Sequence, residues 1–100
     1  MKDGFISVAV ATPEVEVANC VKNAAATVQL VEEAAARGVK LLVLPELGLT
    51  AYTCGDLFLQ PTLLRGAEAA LAAVLDATRG KELLVAVGLP VAVQQTLYNC

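Results

Sequence analysis

Short apolar runs alternate with longer amphipathic segments along the chain. Three runs rich in valine and leucine have the makeup of strands buried on both faces, at residues 5–11, 41–44 and 83–87. Pro13 and Pro45 follow the first two runs, and proline ends a strand because it has no amide to donate to the sheet. The pattern predicts three short, buried strands.

Helical spacing separates these strands. Residues 14–22 favour an extended connector, and Asn23 is the predicted N-cap of the first helix because its side-chain oxygen can accept from a free amide of the first turn. The helix from residue 24 carries an apolar stripe on one side, and Gly38 supplies the left-handed residue that ends it. That stripe comprises Val28, Val31 and Ala35.

The second half of the chain predicts a further helix and a hairpin. Helical turns are expected over residues 57–64, with Pro61 as a helix start, and the long helix ends near Gly80. Residues 91–93 and 96–98 flank a polar tip, which is typical of a hairpin, and Cys100 falls in its continuing strand. Strands separated by helices predict an α/β fold whose sheet begins parallel, with right-handed crossovers.

Composition limits the classes of function. Only 17% of the residues are charged against 57% hydrophobic, so we expect more chain or a partner subunit to cover apolar surface. The net charge of −3 and the scattered basic residues exclude a nucleic-acid site, and no apolar run is long enough for a signal peptide or a membrane span. Three cysteines without histidine support neither a metal site nor a disulfide framework, which favours a cytoplasmic protein.

Glu46 is the candidate catalytic residue. In open α/β sheets, sites gather beyond the carboxyl ends of the strands, and Glu46 follows the second strand and Pro45. A carboxylate at that mouth, with one side against an apolar wall, can act as a general base. The alternative from the residues alone is that Glu46 caps the loop or pairs with a lysine.

Two blocks carry a family resemblance. Residues 42–47 (LVLPEL) and 52–60 (YTCGDLFLQ) resemble the nitrilase, or carbon-nitrogen hydrolase, superfamily, and the second block is most similar to the glutaminase domains of glutamine-dependent NAD synthetases. Residues 5–9, 85–90 and 97–99 add to this resemblance, which therefore covers nearly the whole chain. Ala51 departs from the family, which usually has glycine before the tyrosine.

The resemblance implies a four-layer αββα sandwich, of which this chain is the N-terminal portion, and a Glu-Lys-Cys triad that hydrolyses glutamine. Of the triad only the glutamate maps here, as Glu46, while Tyr52 is the candidate for substrate binding or for anchoring its loop. Lys40 and Lys81 precede strands, at the wrong end of the sheet, and Cys54 does not match the family's nucleophile. Asn99 is expected to satisfy backbone groups within the hairpin.

The resemblance also implies partners. We expect residues 1–100 to be the truncated N-terminal part of a glutaminase domain, inactive alone, whose ammonia feeds a synthetase domain that uses ATP and magnesium and amidates deamido-NAD. No cofactor is expected in this segment; its partners are glutamine, the rest of its own chain and further copies in a homo-oligomer. A stand-alone amidase or carbamoylase, and a non-catalytic α/β interaction module, are the alternatives.

Overall fold

A three-stranded parallel sheet is the centre of the fold. The computed structural model describes residues 4–100, and its strands β1 (Val8–Val10), β2 (Leu41–Val43) and β3 (Leu84–Ala86) lie in the order β1-β2-β3. Both neighbours of β2 run parallel to it, which confirms the predicted α/β class and parallel sheet. Each strand is shorter than predicted because only three residues of β1 and β3 pair with β2.

Two long helices connect these strands. Helix α1 (Cys20–Ala36) joins β1 to β2, and helix α2 (Pro61–Ala77) joins β2 to β3 after a 3₁₀ turn at Gly55–Leu59. Pro61 occupies the first turn of α2, as predicted, because its missing amide would have no helical partner there. Neither helix is long and apolar enough to cross a membrane within the described residues.

The prediction that Asn23 caps α1 is wrong. Asn19 is the cap, and its side-chain oxygen accepts from the amide of Lys22 at 3.1 Å, so residues 20–22 are helical rather than extended. Asn23 is only 1% exposed: its Oδ1 accepts from the amide of Glu16 at 2.8 Å, and its Nδ2 donates to the carbonyls of Glu16 and Leu49. A distant loop therefore decides which asparagine caps the helix.

One face of the sheet packs against the helices. The central residue of β2, Leu42, is buried, and its neighbours Ala9 and Val85 pack around the same core. On α1, Val31 is buried as predicted, whereas Ala34 is buried in place of the predicted Ala35, which is only partly buried. The core is completed from α2 by small and branched side chains, namely Leu63, Ala67, Ala70 and Val74.

The opposite face of the sheet is apolar and open within residues 4–100. Val8, Val10 and Leu84 point away from the helices and are 58%, 80% and 73% exposed. This continuous apolar surface agrees with the low charge content, from which we expect more chain or a partner subunit to cover it.

A hairpin follows β3. Its strands are β4 (Pro90–Val93) and β5 (Thr96–Asn99), which are antiparallel, as predicted. Both tip residues, Gln94 and Gln95, have positive φ angles of 50° and 68°, the geometry of a type I′ turn. Leu89 and Cys100 exchange two backbone hydrogen bonds of 3.0 and 3.1 Å, so the ladder continues past β5 to Cys100, as predicted.

Candidate active site

Glu46 lies beyond the carboxyl end of β2, the position predicted for it. The amide of Leu44 still donates to the carbonyl of Ala86 at 3.0 Å, and Pro45 then ends the pairing because it lacks an amide. Since β2 and β3 are parallel, the end of β3 meets Glu46 at the same edge of the sheet. The Glu46 side chain is exposed rather than set against an apolar wall.

The backbone around Glu46 makes a tight turn. The amide of Gly48 donates to the carbonyl of Pro45 at 3.1 Å, and the amide of Thr50 donates to that of Leu47 at 3.2 Å. Leu47 has a φ angle of +53°, an uncommon conformation for a residue with a branched side chain. These bonds fix the direction in which the chain leaves the sheet, and with it the position of the carboxylate.

Gly88 allows the end of β3 to approach this turn closely. A Cβ at Gly88 would overlap the backbone nitrogen of Leu47 and would lie 3.0 Å from the carbonyl oxygen of Pro45. The Gly88 carbonyl accepts from the amide of Leu49 at 3.2 Å. Only a residue without a side chain fits here, because the atoms in the way belong to the backbone.

Asn99, at the end of β5, brings a polar side chain to Glu46. Its Nδ2 donates to Oε1 of the Glu46 carboxylate across 53 residues of sequence. The expectation that Asn99 satisfies backbone groups within the hairpin is therefore wrong, because its side-chain amide bonds to the Glu46 carboxylate instead.

Tyr52 lies on the loop that follows Glu46 and is 74% exposed. Ala51, which precedes it, is buried with a φ of +68°, the left-handed region that favours glycine, so the usual family residue fits this backbone. A groove of about 200 Å³ opens beside Asn99, and its lining does not include Tyr52. Apolar side chains form most of that lining, namely Leu47, Phe58, Pro90, Leu97 and Tyr98.

The other candidate nucleophile and cations lie apart from this site. The thiol of Cys54 is buried and donates to the carbonyls of Thr50 and Ala51 at 3.0 and 3.3 Å, as a packed thiol does. Lys40 directly precedes β2 and pairs with Glu82 at 3.1 Å, and Lys81 donates to the carbonyl of Ala77 at the end of α2. Within residues 4–100 the site therefore offers one acid–base group, without a nucleophile or a lysine beside it.

Cys20 lines a groove of about 490 Å³ between the first turns of α1 and α2. Burial, and secondarily the nearby thiol of Cys54, raise the pKa of the Cys20 thiol above its ordinary range. A thiol that is harder to ionise is a poorer nucleophile, so Cys20 acts as a small apolar residue of the core.

The fold and the site define the class of protein. The sequence profile of the carbon-nitrogen hydrolases matches residues 7–100, and the chain belongs to this family. Its architecture corresponds to a portion of the nitrilase-type sandwich, which confirms the predicted fold class.

Several of the proteins similar to this chain are glutamine-dependent NAD(+) synthetases. A glutamine-dependent NAD(+) synthetase of Mycobacterium leprae is 29% identical over 96 residues, which cover 96% of this chain and 14% of that protein. That of Aquifex aeolicus is 42% identical over 50 residues, covering 50% of this chain and 9% of the relative. The crystal structure of the Cytophaga hutchinsonii enzyme superposes with a TM-score of 0.81 at 29% identity, covering 95% of this chain and 16% of its own. The matched part of the chain thus spans only 9–16% of the length of these synthetases.

Proposed function

We propose that this chain is the N-terminal part of the glutamine amidohydrolase domain of a glutamine-dependent NAD synthetase. The domain would release ammonia from glutamine for the ATP-dependent amidation of deamido-NAD. The names of the relatives support this assignment. The observation that carries it is the placement of Glu46 beyond the end of β2. Glu46 lies on the turn that Gly88 approaches closely, and its carboxylate accepts a hydrogen bond from Asn99.

Glu46 would be the general base of this reaction. It would take the proton of a cysteine thiol supplied from outside residues 4–100, and the thiolate would attack the side-chain carbonyl of glutamine. A lysine, also from outside these residues, would stabilise the oxyanion. Glu46 would return the proton to the departing amine, releasing ammonia and leaving a thioester, and would then deprotonate the water that frees glutamate.

The exposure of Glu46 supports this role. A base that acts on a group outside residues 4–100 must present an oxygen away from the core of this segment, as the Glu46 side chain does. A glutamate that served only to cap its own turn would accept from amides of that turn, yet the hydrogen bond to Glu46 comes from Asn99. Tyr52, exposed on the following loop, is proposed to contact the bound glutamine.

Substrate preference tests this assignment. The full-length protein that contains this segment should release ammonia from glutamine faster than from acetamide, propionamide or N-carbamoyl amino acids, and should convert deamido-NAD to NAD when ATP is added. A preference for aliphatic or carbamoyl substrates would identify a stand-alone amidase or carbamoylase. A folded full-length protein that hydrolyses none of them would contradict the proposal and favour a non-catalytic interaction module.

A further inference from the structure

The hydrogen bond between Asn99 and Glu46 uses one oxygen of the carboxylate. Nδ2 of Asn99 donates to Oε1, and no hydrogen bond from within residues 4–100 reaches Oε2. The two oxygens are therefore distinguished before any substrate binds, one held by an amide and the other open to accept a proton.

The position of Asn99 is fixed by the base of the hairpin. Asn99 stands opposite Pro90 in the ladder, and the next pair, Leu89 and Cys100, exchanges two backbone hydrogen bonds. Leu89 is buried, so this end of the hairpin is anchored in the core. The adjoining Gly88 accepts from the amide of Leu49, which ties the same junction to the loop of the carboxylate.

We propose that Asn99 is a positioning residue for Glu46: its amide holds Oε1 and so directs Oε2 toward the proton to be accepted. This role rests on the proposed function, in which Glu46 is the base. An asparagine suits the task because its amide donates at every pH and carries no charge. An aspartate of the same shape would donate nothing when ionised and would repel the carboxylate.

A double-mutant cycle tests this proposal in the full-length protein. The kcat and KM for ammonia release from glutamine are measured for Asn99→Ala and Asn99→Asp, each in the native and in the Glu46→Gln background, over incubations long enough to quantify weak activity. Thr96→Ala, on the same strand but opposite Val93, is the matched control for a change in the hairpin itself.

A misdirected base lowers the rate of the chemical step without changing how glutamine binds. Asn99→Ala should therefore lower kcat about 10- to 100-fold at an unchanged KM. Asn99→Asp, which preserves the shape of the side chain, should lose at least as much, and Thr96→Ala should behave as wild type. In the Glu46→Gln background the Asn99 substitutions should have no further effect, because they act through a base that is no longer present.

Other results separate the failure of this proposal from that of the proposed function. Equal losses in both backgrounds would overturn the positioning role and make Asn99 a structural residue. Full activity of both Asn99 variants, with Glu46→Gln inactive, would overturn it while leaving Glu46 as the base. A Glu46→Gln variant that stays active would show that Glu46 is not the base, and the positioning role of Asn99 would fall with that assignment.

Discussion

Gly88→Ala perturbs the junction that sets the position of Glu46. The added methyl would overlap the backbone nitrogen of Leu47 and would lie 3.0 Å from the carbonyl oxygen of Pro45 and 3.1 Å from the carbonyl carbon of Glu46. All three are backbone atoms of a turn held by its own hydrogen bonds, so no side-chain rotation can relieve the overlap. Either the turn or the end of β3 must move.

The expected loss of unfolding free energy in Gly88→Ala has two sources. Overfilling a packed site typically costs about 1–3 kcal/mol. Separating the junction also lengthens the 3.2 Å bond from the Leu49 amide to the Gly88 carbonyl, worth about 1 kcal/mol. The sum, about 2–4 kcal/mol, is a large part of a typical unfolding free energy of roughly 5–15 kcal/mol. A displacement of about 1 Å at Glu46 should also lower glutamine hydrolysis about 100-fold.

Denaturant unfolding and ammonia release from glutamine, measured on the same preparation of the full-length protein, test this reasoning. Gly66→Ala is the matched control, because it makes the same chemical change inside α2, where the new Cβ would meet Cys20 Sγ at an ordinary 3.5 Å. We expect it to stabilise the protein by about 0.5–1 kcal/mol, since alanine favours a helix interior over glycine. A Gly88→Ala protein as stable and as active as wild type would refute the close approach described here.

Three further predictions concern other parts of the chain. Asn23→Ala should lower the unfolding free energy by about 2–4 kcal/mol, because it removes a buried side chain that bonds the amide of Glu16 and the carbonyl of Leu49, and it leaves those two groups without a partner; an unchanged denaturation midpoint would contradict this. Burial raises the pKa of Cys20 in the folded state, so the unfolded thiol ionises first and stability should fall as pH rises through about 8.5; urea midpoints should show a smaller alkaline loss in Cys20→Ala. The 100-residue chain incubated with glutamine should release no ammonia above a buffer control, and turnover abolished by Cys54→Ala would contradict the assignment of the triad.

The elements of this fold could be predicted from the sequence where local rules decide them. Apolar runs ended by proline located β1 and β2, and Pro61 marked the start of α2. The same rule placed Glu46 at the carboxyl end of the sheet, because Glu46 directly follows Pro45, which ends the pairing of β2.

Contacts between distant segments could not be predicted in this way. Asn19 and Asn23 are equally good caps by local rules, and the contact of Asn23 with Leu49 decides between them. The pairing of Asn99 with Glu46 spans 53 residues and depends on the hairpin register, which residues 96–99 alone do not fix. The need for glycine at position 88 likewise arises only when two loops meet.

Glu46→Gln tests the central claim most directly. The substitution keeps the size of the side chain but removes the proton acceptor, and loss of a general base typically costs about 10²–10⁴-fold in rate. The measurement compares NAD formation from glutamine and from added ammonium in the full-length protein, because ammonium bypasses the thioester chemistry, with a melting curve for each variant. We predict loss of the glutamine-dependent rate alone at an unchanged Tm. Unaltered use of glutamine, or an equal loss of both rates with a lowered Tm, would contradict the assignment of Glu46 as the base.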